Sequence, residues 1–324
     1  MKRWPPVSVV IPAYNEEKTV GLVLHALARQ SYPTKKQIIV VNDCSRDGTE
    51  QVVRRFAVEI ITHRKNKGLA ASLNDGIKKA RHDVIFLIEA DCVPKERTWM
   101  KKMVALLLSD SKIGSVNSHY TVPAQLITRY NFWMKLFFGR SLLNQEPVSA
   151  PKEIGKCSSR ASVYRRALFQ KVGLFSEAEF RTGGEDFDLS MRVRGSGFKI
   201  YKLYGKVWHM QGVKPVSASF GSYLYKRRQY GELKGVLRRK YGERFPLRKC
   251  TELLYLAAFV GLLMPKIRWL ALAFLLGVGF YFAWIMRTLE RSPRLALVPF
   301  AKIIGDLFAS MWFVKGFLLK KQSA

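Results

Sequence analysis

The residues able to do chemistry in this 324-residue chain gather behind short apolar runs. After the run at 7–11 come Pro12, Ala13, Tyr14, Asn15 and Glu16; after 38–41 come Asn42 and Asp43; after 58–62 come Arg64 and Asn66; after 84–88 come Glu89 and Asp91. If each run is a strand of an open parallel sheet, these side chains share the rim outside the carboxyl ends, which is where such sheets bind ligands. Singly, each has a plainer explanation: Asp43 with Ser45 and Asp47 makes a turn and a helix cap, and Glu89 with Asp91 a solvated loop. Recurrence at four strand ends favours a binding rim. Farther along, Glu185 and Asp186 follow Gly183 and Gly184 and open a helical stretch. Two carboxylates then sit beside backbone N–H groups at the positive end of a helix dipole, either as favourable terminal charges or as working acids.

The elements that must position these groups follow from periodicity. Runs at 7–11, 38–41, 58–62, 84–88 and 113–116 alternate with amphipathic stretches at 17–30, 49–56, 69–81 and 97–108, the pattern of a parallel sheet with crossover helices. The expected fold class is therefore a doubly wound α/β domain. The stretch 120–249 is less regular: an aromatic segment lies at 126–143, a helix is expected from Glu185 to Arg194, stopped by Gly195 and Gly197, and another over 219–241.

Lys and Arg number 55 against 24 Asp and Glu, a net charge of +31, which calls for a polyanionic partner: nucleic acid, anionic lipid or diphosphate. Ten basic residues against two acidic ones lie between Lys226 and Lys249, directly ahead of an apolar region. That placement reads as a juxtamembrane belt, and no nucleic-acid-binding motif is present. The stretch 269–286 carries no charge in eighteen residues, about 27 Å at helical rise and close to a bilayer's thickness. The segment 253–264 is apolar but short, and 295–319 is interrupted by Lys302, Asp306 and Lys315, of which Lys302 and Asp306 stand four apart and can pair. The expected organisation is an α/β domain over 1–249 and a membrane region over 250–324, with spans at 250–264 and 269–286 and a third segment, 295–319, spanning or interfacial. Cys44, Cys92, Cys157 and Cys250 are far apart and read as free thiols. No secretory signal is evident, so the α/β domain is expected on the cytosolic face of a multi-pass cell-membrane protein.

Taken in order, VSVVIPAYNEE, VVNDCSRDGT, NKGLAASLNDGI, FLIEADC and GGEDFDLSMRV resemble the successive motifs of family 2 glycosyltransferases, over about residues 7–230. The resemblance implies an inverting enzyme of GT-A fold that takes a nucleotide-sugar donor. It puts Pro12, Tyr14 and Glu16 against base and ribose, Asn66 also on the nucleotide, and Asp43 on a pyrimidine ring N–H, which a carboxylate can accept, favouring uridine. Glu89 and Asp91 stand where the family carries Asp-x-Asp, with Glu replacing the first Asp, so Asp91 is the expected ligand of Mg²⁺ or Mn²⁺. His209 matches a third metal ligand of some relatives. Asp186, beside Glu185, would be the general base that deprotonates an acceptor hydroxyl. The Gln-x-x-Arg-Trp signature of processive members is absent, and YKRRQYGE at 225–232 occupies roughly its place, so transfer of one sugar is expected. Arg227 and Arg228 could reach the diphosphate or form a basic face at the lipid surface. The expected acceptor is a hydroxyl of a lipid-linked or membrane-proximal glycan, with membrane lipids as surroundings and no nucleic acid. The alternatives are a polyprenyl phosphate acceptor, which needs no base, and a non-catalytic basic protein binding nucleic acid or membrane.

Overall fold

The structure, a computed structural model, describes residues 4–143, 150–179, 183–210, 219–242, 251–290 and 292–318. It divides into two compact units, Met1–Leu126 with Gln145–Lys214, and Ile127–Asn144 with Pro215–Ala324. The elements in chain order begin with β1 (Val7–Ala13), α1 (Val20–Ala28), β2 (Lys36–Asn42), α2 (Thr49–Val53), β3 (Glu59–Thr62), α3 (Leu69–Lys79) and β4 (Val84–Ile88). There follow β5 (Cys92–Pro94), α4 (Trp99–Leu107), β6 (Ile113–Thr121), α5 (Ala124–Ile127) and α6 (Phe132–Leu143), the last in the second unit. The first unit resumes with β7 (Lys152–Ile154), β8 (Ala161–Arg165), α7 (Arg166–Val172), α8 (Glu185–Val193) and β9 (Lys199–His209). The second continues with α9 (Phe220–Tyr241), α10 (Thr251–Leu262), α11 (Arg268–Met286), a 3-10 turn (Pro293–Leu297) and α12 (Val298–Leu318).

In the first unit the strand order is β3-β2-β1-β4-β8-β6-β9-β5, with β7 also on β9. The five expected strands are present, and β3, β2, β1 and β4 run parallel as expected. Beyond β4 the sheet is mixed: β8 lies antiparallel between β4 and β6, and β5 and β7 pair antiparallel with β9. The near-continuous apolar runs of β1 and β4 reflect cover on both faces. Val7, Val9, Ile11, Val84, Phe86 and Ile88 join one core with α1 and α4, while Val10, Ile85 and Leu87 join another with α3. Each fully buried aliphatic or aromatic side chain contributes about 1.5–3 kcal/mol. Helix α3 lies directly on β1 because residue 76 is glycine: a Cβ there would stand 2.2 Å from Val10 Cγ1.

In the second unit α9 and α12 touch backbone to backbone. A Cβ at Gly231 would come 2.0 Å from the Ala309 carbonyl oxygen, and one at Gly235 2.1 Å from that of Phe313. Asp306, 1% exposed, is enclosed there and pairs with Arg227 of α9 and with Lys302 one turn away, so the pairing expected from the spacing of Lys302 and Asp306 forms. Arg228 stacks its guanidinium 3.7 Å over the Trp312 ring. Two helices are long and apolar enough to cross a membrane, Arg268–Met286 and Pro293–Leu318. Of the first only 22% is buried, unlike a core helix, and Leu270, Phe280, Tyr281 and Trp284 stand exposed along it. The expected span at 250–264 is α10, a helix of 12 residues and shorter than a bilayer crossing requires.

Candidate active site

At the end of β4 the chain turns sharply. Cys92 N–H donates to the Glu89 carbonyl at 2.9 Å, which leaves Asp91 at the tip before β5 begins. Strand β5 pairs with the last residues of β9, so Cys92 lies opposite His209, and Met210 N–H donates to the Asp91 carbonyl at 2.7 Å. This pairing gathers Glu89, Asp91, Cys92 and His209, whose candidate ligand atoms all lie within 4.8 Å of one another. His209 Nε2 is 3.3 Å from Asp91 Oδ2. Glu89 accepts a hydrogen bond from Ser159 Oγ at 3.2 Å and lies 3.4 Å from Arg160 Nε. The Arg160 guanidinium covers the Tyr120 ring, and that ring meets His209 edge-on at 5.5 Å.

Burial pushes the Glu89 carboxyl above the usual range, against Arg160, with the Asp91 charge adding to the rise. Burial also pushes the Cys92 thiol well up, with Asp91 and Glu89 adding. Crowded acids beside a buried imidazole are what a divalent cation would relieve: the carboxylate oxygens suit Mg²⁺ or Mn²⁺, and the imidazole suits Mn²⁺ better than Mg²⁺. The residues present fit such an ion.

The second acidic pair is set by helix α8. Gly183 and Gly184 have φ of 137° and 96°, the left-handed region open to glycine, and the turn they make starts the helix at Glu185. Glu185 is 4% exposed, and its Oε2 has no hydrogen-bond partner among the described residues. Burial and then the charge of Asp186 push its carboxyl up to about 8, and the charge of Glu89 adds to this, so both acidic pairs feel one another. Asp186 Oδ2 lies 3.3 Å from Lys156 Nζ, which in turn sits 4.2 Å over the Phe187 ring. Asp188, of the same motif, serves the architecture instead, holding Arg192 at 2.9 Å and accepting from Ser176 Oγ at 3.0 Å.

The loops after β1, β2 and β3 are laced together. Asn15, at a φ of 54°, accepts from Arg46 N–H at 2.8 Å, and Glu16 N–H donates to Thr49 Oγ1 at 2.7 Å. Pro12 is buried within β1 and Tyr14 is exposed at its end. Asp43 is buried and accepts from the backbone N–H groups of Lys67 and Gly68, both at 2.8 Å. His63 lies 2.7 Å from its Oδ1 and 3.0 Å from Asp75 Oδ2, and Asn66 Nδ2 donates to the Asp43 carbonyl. A carboxylate has about four lone-pair positions, so three internal partners leave Asp43 about one more bond to accept.

The structure thus brings Glu89, Asp91 and His209 together, sets Glu185, with Asp186 next to it, within the field of Glu89, and sets Tyr14, Glu16, Asp43 and Asn66 on the neighbouring strand ends. Arg227 and Arg228 belong to α9 in the second unit, where Asp306 and Trp312 engage them. Sequence reasoning reads Cys92 only as a free thiol and passes over Arg160 and Lys156. Cys92 lies inside the FLIEADC motif, whereas Arg160 and Lys156 stand in a stretch with no periodic signal.

Residues 8–173 match the family model described as Glycosyl transferase family 2. The match ends ahead of α8, so Glu185, Asp186 and His209 lie outside it. The probable glycosyltransferase YdaM of Bacillus subtilis (strain 168) is 31% identical over 212 residues, covering 62% of this chain and 49% of its own. The chain spans about half the length of the curated relatives it matches. Among solved structures, the mannosyltransferase PcManGT from Pyrobaculum calidifontis, in complex with GDP-Man and Mn²⁺, superposes with a TM-score of 0.58 at 18% identity, over 99% of this chain and 89% of that one. GalNAc-T7 with UDP, GalNAc and Mn²⁺ gives 0.52 at 18%, over 72% of this chain and 51% of that one. At these identities both speak for the fold, a GT-A type α/β sheet.

Proposed function

Since this chain belongs to glycosyltransferase family 2, we propose that it transfers one sugar, with inversion, from a nucleotide-sugar to a hydroxyl of a lipid-linked or membrane-proximal glycan. The observation that carries this is the gathered Glu89–Asp91–His209 corner, with the Glu185–Asp186 pair at the head of its helix within the field of Glu89. Asp186, steadied by Lys156, takes the acceptor's proton as its oxygen attacks the anomeric carbon, a contribution of about 10²- to 10⁴-fold. Glu185, with its carboxyl raised to about 8, is neutral near pH 7 and adds no second charge beside that base. Glu89, Asp91 and His209 would hold Mg²⁺ or Mn²⁺, and when bound the cation neutralises the departing nucleoside diphosphate.

UDP-sugars are the favoured donors. Uracil offers one imide N–H, matching the single bond left to Asp43, whereas guanine offers adjacent N–H groups that call for a second acceptor. PcManGT carries GDP-Man and GalNAc-T7 carries UDP, so the fold accommodates either base and Asp43 supports the choice. The exposed apolar side chains of α11 support a bilayer crossing by it and by Pro293–Leu318, with the catalytic unit on the cytosolic face. Protease cleavage of a C-terminal tag from the cytosolic side is the expected result, and protection there would sink this topology.

The primary test uses purified protein in detergent with UDP-, GDP- and dTDP-sugars, with and without Mn²⁺ and membrane lipid extract. Metal-dependent release of UDP, stimulated by lipid, is expected. Pyrophosphate as the product would overturn glycosyl transfer, and full activity in Asp186→Asn would shift the acceptor to a polyprenyl phosphate.

A further inference from the structure

The metal corner contains a sulfur that a carboxylate motif would not supply. Cys92 and His209 are direct partners in the antiparallel β5–β9 pair, so their side chains leave the same face of the ladder. Cys92 Sγ lies 3.8 Å from Asp91 Oδ1 and within 4.8 Å of the ligand atoms of Glu89 and His209. Cys92 is fully buried and His209 is 4% exposed, so both point to a shielded position. The other described thiols have no such company: Cys44 lies against the Arg64 carbonyl and Cys157 in the core beneath α8.

We propose that Cys92 is a sulfur ligand of this corner, which makes the site take a thiophilic divalent ion such as Zn²⁺ or Co²⁺ in preference to Mg²⁺ and before any nucleotide is bound. The inference rests on the metal reading of Glu89, Asp91 and His209 given above. Thiolate, imidazole and carboxylate together form a donor set that transition ions favour, whereas Mg²⁺ prefers oxygen alone and keeps its waters. On binding, the thiol proton leaves to solvent as the sulfur–metal bond forms. An all-oxygen corner would depend on the diphosphate to complete its coordination, and this one would not.

The test is a Co²⁺ titration of the full chain in detergent without nucleotide, read by absorption. Ligand-field bands together with a near-ultraviolet sulfur-to-cobalt charge-transfer band are expected. In Cys92→Ser the charge-transfer band is lost while the ligand-field bands remain, and Cys44→Ser keeps both. Zn²⁺ affinity in Cys92→Ser should fall at least as far as when a ligand's supporting partner is lost, about 10- to 100-fold. Ligand-field bands without charge transfer in the unaltered protein would overturn the sulfur ligand and leave the metal reading standing. Absence of any Co²⁺ binding, with or without UDP, would overturn both. Should Cys92→Ser fail to fold, the cadmium-113 resonance of the unaltered protein decides: a thiolate-shifted signal supports the proposal and an oxygen–nitrogen signal defeats it.

Discussion

Asp306 in the second unit and Glu185 in the first are both buried acids, yet their surroundings differ in kind. Asp306 is met by two cations, Arg227 and Lys302, and its backbone carbonyl accepts from Ser310 Oγ. Glu185 lies beside a second acid, within the field of a third, with one oxygen unmatched among the described residues. Around Glu185 the acids prevail, and around Asp306 the cations do. A buried group left short of partners is costly, so its retention signals a ligand that completes it, whereas a completed cluster signals architecture.

The contrast is tested most severely by removing an acid from each side. Asp91→Ala and Asp186→Asn should both cut turnover, the latter by about 10²- to 10⁴-fold, with little change in thermal unfolding. Only Asp91→Ala should also weaken Mn²⁺-dependent UDP binding, as read by calorimetry. Equal loss of binding in both would erase the division between metal ligand and base. Asp306→Ala should do the opposite, taking their carboxylate from the half-buried Arg227 and Lys302 and destabilising the second unit by about 3–5 kcal/mol. An unfolding midpoint in detergent that does not move would show that the pairing is idle.

Gly76→Ala offers a control that touches no charge. Overpacking against Val10 should cost about 1–3 kcal/mol in the first unit, detected as a lowered unfolding midpoint. A further effect is one of pH. A carboxyl raised from 4.5 to about 8 favours the folded state most at low pH, since the fold holds a proton that the unfolded chain releases. Metal-free protein should therefore lose stability as pH rises from about 4.5 to about 8, and Glu185→Gln should flatten that slope. Parallel profiles for the two proteins would remove Glu185 from the account.

Much of the catalytic unit was legible because its signals are local. Strands such as 7–11 and 84–88 are apolar but for Ser8 since helices cover both faces, and the polar residues that follow them have nowhere to lie but the rim. The bounds and partners of strand β9 were not readable: its pairing with β6 shifts register near Ser118 and Tyr120, which breaks the two-residue alternation. Without β9 and its β5 partner there was no route from sequence to the contact of Cys92 with His209. Lys302 and Asp306 marked 295–319 as a weak span for a related reason. The second cation on Asp306, Arg227, comes from a helix far upstream, and no window along the sequence contains all three.

The glycine contact between α9 and α12 also bears on biosynthesis. Helix α9 leaves the ribosome well before α12, the last of the described helices, so during translation its glycine face and Arg227 have no partner to close upon. The second unit should therefore assemble only once α12 has emerged. Nascent chains halted before residue 298 should expose α9 to protease, and the full chain released from the ribosome should protect it.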